Sequence, residues 1–264
     1  MLAMARALWA FRGFVLTSVQ REFAARYQNS MLGMAWMVIH PLSMIVVYTV
    51  IFSQLMRSRL PGVDSTFGYS VYLCAGLLTW GLFAEVVTRA QTVFIDNANL
   101  LKKLSFPRLC LPLIVVLSAV LNFLVVFALF VVFLLLTGNF PGWVVLAFLP
   151  VLAIQLAFSV GLGMTLGVFN VFFRDVGQVA TIVMQFWFWL TPIVYTKSVL
   201  PEGVQAGLAW NPMAVVIDAY QQIFVWHTLP AWRGLAWVSV LAVLLCLAGW
   251  RMFRRHAGAM VDEL

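Results

Sequence analysis

The sequence predicts an all-α integral membrane protein with six membrane-spanning helices. Of its 264 residues, 64% are hydrophobic and only 9% charged, with a mean hydropathy of +1.00. A soluble domain of this length carries about a quarter charged residues. Charge-free runs recur at lengths that suit a crossing, for which a helix needs roughly 20 mostly apolar residues. The lysines and arginines cluster between those runs. The formal charge of +7 therefore reads as loop charge that sets topology, and it does not imply nucleic acid as a partner.

Residues 1–30 read as a basic amphipathic helix lying in the membrane interface, with Leu8, Phe11, Val15, Val19 and Phe23 roughly along one side. Residues 31–264 then form the six-helix transmembrane domain. The first span lies at about Gly33 to Leu55 and the second at about Tyr69 to Thr88, interrupted only by Glu85. No charge occurs between Arg108 and Arg174, room for two helices. The turn GNFPG (Gly138 to Gly142) divides that run, giving spans near Leu109 to Thr137 and Trp143 to Phe172. The fifth runs from about Val176 to Tyr195. The sixth, Gly234 to Trp250, is flanked by Arg233 and Arg251, which can snorkel to the interfaces.

Charge bias orients the spans. With the N-terminus inside, Arg6, Arg12, Arg21, Arg26, Arg89, Lys102, Lys103, Arg108, Arg174, Arg251, Arg254 and Arg255 are cytoplasmic, against Arg57, Arg59, Lys197 and Arg233 outside. Both termini are then cytoplasmic in a multi-pass protein. The outer connection, about 197–233, is too apolar for a solvated loop. Pro201 and Glu202 signal a helix start, the Asn211-Pro212 pair a break after Trp210, and MAVVIDAYQQIF a second short helix. Two short re-entrant helices forming an outer gate or vestibule fit this pattern.

The chemistry of an enzyme is missing. His40, His227 and His256 are scattered with no carboxylate pattern around them, and there is no HExxH, GxSxG or acidic DxD pair. Nor is there a GxxxxGK[ST] loop, so this chain does not cradle a nucleoside triphosphate. Cys74, Cys110 and Cys246 lie far apart in apolar surroundings, without metal spacing. An ion-driven carrier needs ionisable groups at mid-membrane depth. Only Glu85 qualifies loosely, and Arg89 four residues later suits a structural ion pair. Asn122, Gln155 and Gln185 read as interhelical hydrogen-bonders, and Ser159, Gly163 and Gly167 as a small-residue ridge for close packing.

Two stretches stand apart. In QFWFWLTPIVY, the aromatics Phe186 to Trp189 cover all sides of a helix before Pro192 loosens it, so at least one ring should face inward. In NANLLKKLSFPRLCLPL, Asp96 or Asn97 can cap a short helix that Phe106-Pro107 stops. Leu100, Leu101 and Leu104 give that helix an apolar edge, while Lys102 and Lys103 face an acidic groove or headgroups. No internal repeat is visible, so six helices read as half of a larger assembly.

Taken together, REFAARYQNSMLGMAWMVIHPL (Arg21 to Leu42), NANLLKKLSFPRLCLPL (Asn97 to Leu113), FFRDVGQ (Phe172 to Gln178), FWLTPIVY (Phe188 to Tyr195) and WNPM (Trp210 to Met213) resemble the permease subunits of type 2 ATP-binding-cassette exporters for cell-surface polysaccharides. The resemblance implies a homodimer in a bacterial inner membrane, paired with two separate ATPase subunits that bind ATP and Mg. This chain then holds no cofactor. It implies a channel at the dimer interface for a lipid-linked polysaccharide, O-antigen first, with capsule and teichoic acid as alternatives. It further implies a coupling helix within about 90–108, so that Asn97, Leu100, Leu101, Lys102 and Lys103 contact the ATPase, with Arg174 and Asp175 a second inner contact. Phe186, Trp187, Trp189 and Tyr195 are the channel-lining candidates, and Pro201, Trp210, Asn211 and Pro212 the outer-gate candidates. A self-sufficient channel, an ion-driven carrier or a membrane enzyme acting on a lipid-linked sugar are the competing classes.

Overall fold

The computed structural model describes residues 9–27, 32–51, 60, 65, 67–103 and 107–263. The elements run α1 (Arg12–Tyr27), α2 (Trp36–Tyr48), α3 (Gly68–Asp96), α4 (Ala98–Lys103), α5 (Cys110–Leu136), α6 (Phe148–Phe172), α7 (Asp175–Trp189), α8 (Glu202–Leu208), α9 (Pro212–Phe224), α10 (Trp232–His256) and α11 (Ala259–Glu263). Every regular element among the described residues is helical. Four stretches are long and apolar enough to cross a membrane: Gly68–Asp96, Cys110–Leu136, Gly142–Phe172 and Trp232–His256; the apolar helix Trp36–Ile51 is shorter.

Where the sequence places spans, helices form, but several bounds differ. The second span does not end at Thr88: α3 continues to Asp96. Arg89 does not stop it because the guanidinium is held by carboxylates on two helices. The loop expected at 90–108 is correspondingly shorter. The helix expected to Tyr195 ends earlier. Helix α7 ends at Trp189 after 15 residues, about 22 Å and short of a 30 Å core by itself, and residues 190–196 follow without helix. Residues 52–55 of the first span, together with Leu8, Arg57, Arg59, Leu104 and Phe106, lie outside the described residues.

Helix α6 is the centre of the bundle, packed between α3 and α10. Glycine makes this possible on both faces. A Cβ at Gly163 would lie 2.7 Å from the Ala90 Cβ, and one at Gly167 would lie 2.6 Å from the Ala90 carbonyl oxygen. On the opposite side, a Cβ at Gly161 would lie 2.7 Å from the Cys246 nitrogen. The expected ridge thus seats α3, and Gly161 seats α10. The GNFPG turn reverses the chain with Gly138 and Gly142 at φ +71° and +61°, backbone that only glycine adopts freely. Along α1, Val15 and Val19 are buried against Cys110 and Ile114 of α5, so the basic helix packs on the bundle through the stripe read from its sequence.

Replacing Gly167 by Leu forces α3 and α6 apart. The expected loss is about 1–3 kcal/mol or more, read as a lower unfolding temperature in detergent. Gly203→Ala, where a Cβ meets nothing within 4 Å, should leave it unchanged.

Candidate functional site

The two ends of the bundle hold separate polar constellations. At one end, residues 190–196 leave helical geometry while Thr191, Pro192 and Ile193 are buried. Helix α3 supplies donors to their carbonyls. The Tyr72 hydroxyl donates to the carbonyls of Pro192 at 3.0 Å and Tyr195 at 2.9 Å, the Tyr69 hydroxyl donates to Val194, and Gln221 Nε2 of α9 donates to Pro192 at 3.3 Å. Two tyrosines one helical turn apart thus hold an irregular strip that carries the proline.

Asn211 joins this strip to α9. Its Oδ1 accepts from the Trp187 indole at 2.8 Å and from the backbone N–H of Met213 at 3.1 Å and Ala214 at 3.2 Å. Its Nδ2 donates to the Leu190 carbonyl at 3.3 Å and the Thr191 hydroxyl at 3.2 Å. It is the N-cap of α9, with Pro212 at the first helical position where a missing N–H costs nothing. Lys197 Nζ lies 2.7 Å from Asp218 Oδ1, and Gln222 donates to the other oxygen of that carboxylate at 2.8 Å, pinning the chain before α8 onto α9.

The outer-gate candidates therefore separate. Asn211 and Pro212 sit in the hub, whereas Pro201 and Trp210 are exposed at the ends of α8, which is itself exposed apart from Leu208. The aromatics separate too. Trp187, a channel-lining candidate, is packed inside the subunit against Trp80, Phe83 and Phe158, with its indole N–H used by Asn211. The rings differ by rotation: successive helical residues point about 100° apart. Phe186 and Trp189 are exposed, at 66% and 60%. The Tyr195 hydroxyl donates to the Trp189 carbonyl at 2.9 Å, which places that ring at the end of α7.

At the other end, Arg89 bridges two carboxylates, Glu22 of α1 and Glu85 one turn earlier at 3.5 Å. Ser118 donates to Glu22 at 2.8 Å and Asn122 donates to Glu85 at 3.0 Å. The pair read from sequence is one limb of a network across α1, α3 and α5. One turn further, Asn170 Nδ2 donates to the Gln91 carbonyl and Asn170 Oδ1 accepts from Gly177 N–H. This holds the turn carrying the exposed Arg174 and Asp175 against the end of α3.

Helix α4 follows immediately. Asn97 works backward: its side-chain amide donates to the Val93 carbonyl at 2.9 Å and closes α3, while its own carbonyl accepts from Leu100 and Leu101 to open α4. Leu101 is buried with Phe94, Phe253 and Met260, so it anchors α4 from behind. Leu100 is half-buried and Lys102 exposed; the Lys103 side chain lies outside the described positions. Tyr69, Tyr72, Gln221, Glu22, Gln91 and Asn170 were not singled out from the sequence. Only the pair of tyrosines opening α3 carried a signal, as polar tips on an apolar helix.

A helical bundle with four stretches long and apolar enough to cross a membrane is that of a multi-pass membrane protein. Residues 14–225 match the model of the ABC-2 type transporter family, and the chain belongs to that family. It is 32% identical over 266 residues to the O-antigen export system permease protein RfbA of Myxococcus xanthus, covering 100% of both chains. It is likewise 32% identical over 239 residues to the protein of that name from Klebsiella pneumoniae, covering 89% of this chain and 88% of the relative. The polysialic acid transport protein KpsM of Escherichia coli is 18% identical over 246 residues, 92% of this chain and 93% of the relative.

Asn211→Ala removes a cap and an indole partner together. It should lower stability by about 2 kcal/mol, with Asn211→Asp retaining most of it, read as thermal unfolding in detergent. Trp187→Ala should lower stability to a similar degree, while Trp189→Ala, at an exposed position, leaves it unchanged.

Proposed function

We propose that this chain is the permease of an ATP-driven exporter that moves a lipid-linked polysaccharide outward across the bacterial inner membrane, and that the polysaccharide is an O-antigen. Two copies form the channel at their interface, and two ATP-binding-cassette subunits drive it. The observation that carries this reading is the build of α4. It is a short helix fastened to the core by Leu101, with Lys102 outward and the Arg174–Asp175 turn tied to the same end of α3. A surface so braced transmits a push, and the chain itself has no nucleotide-binding loop. ATP and Mg therefore belong to the partner.

Six crossings complete the topology, made by α2, α3, α5, α6, α7 and α10, with both termini cytoplasmic and α8 and α9 re-entrant from the outer side. Helix α7 reaches the outer surface by adding residues 190–196 to its 15 helical ones. Phe186 and Trp189 are the rings available to line a channel between copies, and aromatic faces suit sugar rings. O-antigen is favoured over other polymers because the full-length relatives at 32% identity carry that name. Glu85 is committed to Arg89 and Asn122, which favours ATP coupling over an ion-driven carrier.

The test is charge reversal. Lys102→Glu with Lys103→Glu should insert normally, yet its ATPase co-purification and polymer export should each fall about tenfold or more, as reversed charges at a docking surface do. Wild-type co-purification and export from that double variant would overturn the docking role.

A further inference from the structure

Helix α4 is six residues long. A helix shorter than about 12–15 residues is marginal in water, and its order comes from the face it buries. Asn97 starts this one, its carbonyl accepting from the N–H groups of Leu100 and Leu101 at 3.0 Å, but a start does not hold the far turn. Asn99 and Lys102 are exposed. Among the described residues no ion pair joins α4 to the rest of the chain. Apolar contact is what keeps it in place. Its packing partners are α3, the helix that runs into it, and α11.

Helix α11 has five residues and follows α10 after a turn at Ala257 and Gly258. It packs against α6 as well as α4. Ala259 and Glu263 are exposed, whereas Met260 is 2% exposed. Met260 shares a buried cluster with Leu101 of α4, Phe94 of α3, Val171 of α6 and Phe253 of α10. Phe94 and Phe253 stack with ring centroids 5.6 Å apart. The end of α10 is fixed in turn by His256, whose ring meets Phe172 of α6 edge-on at 5.7 Å. The cluster therefore has a firm wall made by three long helices. Met260 is the member that α11 adds, and an unbranched thioether fills the irregular gap between two short helices.

We infer that Met260 is a positioning residue for coupling. Through it, α11 braces α4 from behind, so that a force on the Asn99–Lys102 side passes into α3, α6 and α10 and is not spent in unwinding α4. The inference rests on the proposed reading of α4 as the helix that meets the ATPase. It adds that a segment about 160 residues further along the chain decides whether α4 is formed when the partner arrives.

Two measurements on the full chain in nanodiscs test it: amide hydrogen exchange and, with the ATPase subunits present, polymer exported per ATP hydrolysed. Met260→Ser should speed exchange over residues 98–103 about tenfold or more while exchange over 110–136 is unchanged. Export per ATP should fall about three- to tenfold. Met260→Leu, which refills the space, should restore both. A chain ending at Ala257 removes α11 outright and serves as the second variant should Met260→Ser not fold, with the same outcome expected. Unchanged exchange over 98–103 in whichever variant folds would overturn the brace. Faster exchange spread equally over 110–136 would overturn it too, by making Met260 an ordinary core residue. Faster exchange confined to 98–103 with normal export per ATP would overturn the coupling role, and the fault would then lie with the reading of α4, since the brace itself would have been seen.

Discussion

A buried backbone carbonyl that leaves the helix has no water to turn to, and much of this structure follows from meeting that demand at residues 190–196. Pro192 cannot donate and breaks the ladder after Trp189. Three carbonyls in this short strip then take hydrogen bonds from Tyr69, Tyr72 and Gln221. An intact neutral bond is worth about 0.5–1.5 kcal/mol, but a buried acceptor left without one costs about 1–3 kcal/mol. The asymmetry ties the elements together. Helix α3 opens with tyrosines because their hydroxyls reach past the apolar ring. Gly76 lacks a side chain because the Ile193 Cγ2 would sit 3.1 Å from its Cβ. Helix α9 lies against the strip because Asn211 both caps it and binds the residues that end α7.

The opposite end meets a related demand with charge. Arg89 interrupts a helix that would otherwise be apolar, and burial of a lone guanidinium is costly. Glu22 and Glu85 hold it from either side; Ser118 shares the Glu22 oxygen that meets Arg89, and Asn122 takes the second oxygen of Glu85. The consequence is topological. The basic helix α1 is fastened to α3 through Glu22–Arg89 as well as to α5 through Val15 and Val19, so it is part of the bundle. Gln155 shows the neutral version of this solution deeper in the core, donating to the Thr79 carbonyl at 2.7 Å and accepting from Tyr220 at 2.7 Å.

Hydropathy and helix breakers located these elements because both are local: a run of apolar residues, a Gly-Pro turn, an Asn-Pro cap. The i, i+4 relation of Glu85 and Arg89 was legible for the same reason. Glu22 was not, since 67 residues separate it from Arg89 and no local pattern joins them. Trp187 and Trp189 illustrate the limit more sharply. They share composition, helix and neighbours in sequence, yet one fills the core beside Trp80 while the other is exposed, a difference made by which face of α7 meets α3. Leu100 and Leu101 divide in the same way. The end of α7 was misplaced because a proline near a helix end can be absorbed or can unwind the chain, and the outcome rests on tyrosines more than 100 residues away.

One element touches every constellation. Helix α3 has 29 residues, about 43 Å of continuous helix. It holds the 190–196 strip through Tyr69 and Tyr72, carries Glu85 and Arg89, and ends at Gln91 and Asn97 beside α4. Its contact with α6 through Gly163 and Gly167 is too close to let the two slide without lifting apart. In the exporter reading, a force applied at α4 therefore moves α3 and α6 as one body, and the hydrogen-bonded strip at the far end moves with them. The hydroxyl contacts of Tyr72 are then the point at which motion from the ATPase side reaches the chain between α7 and α9.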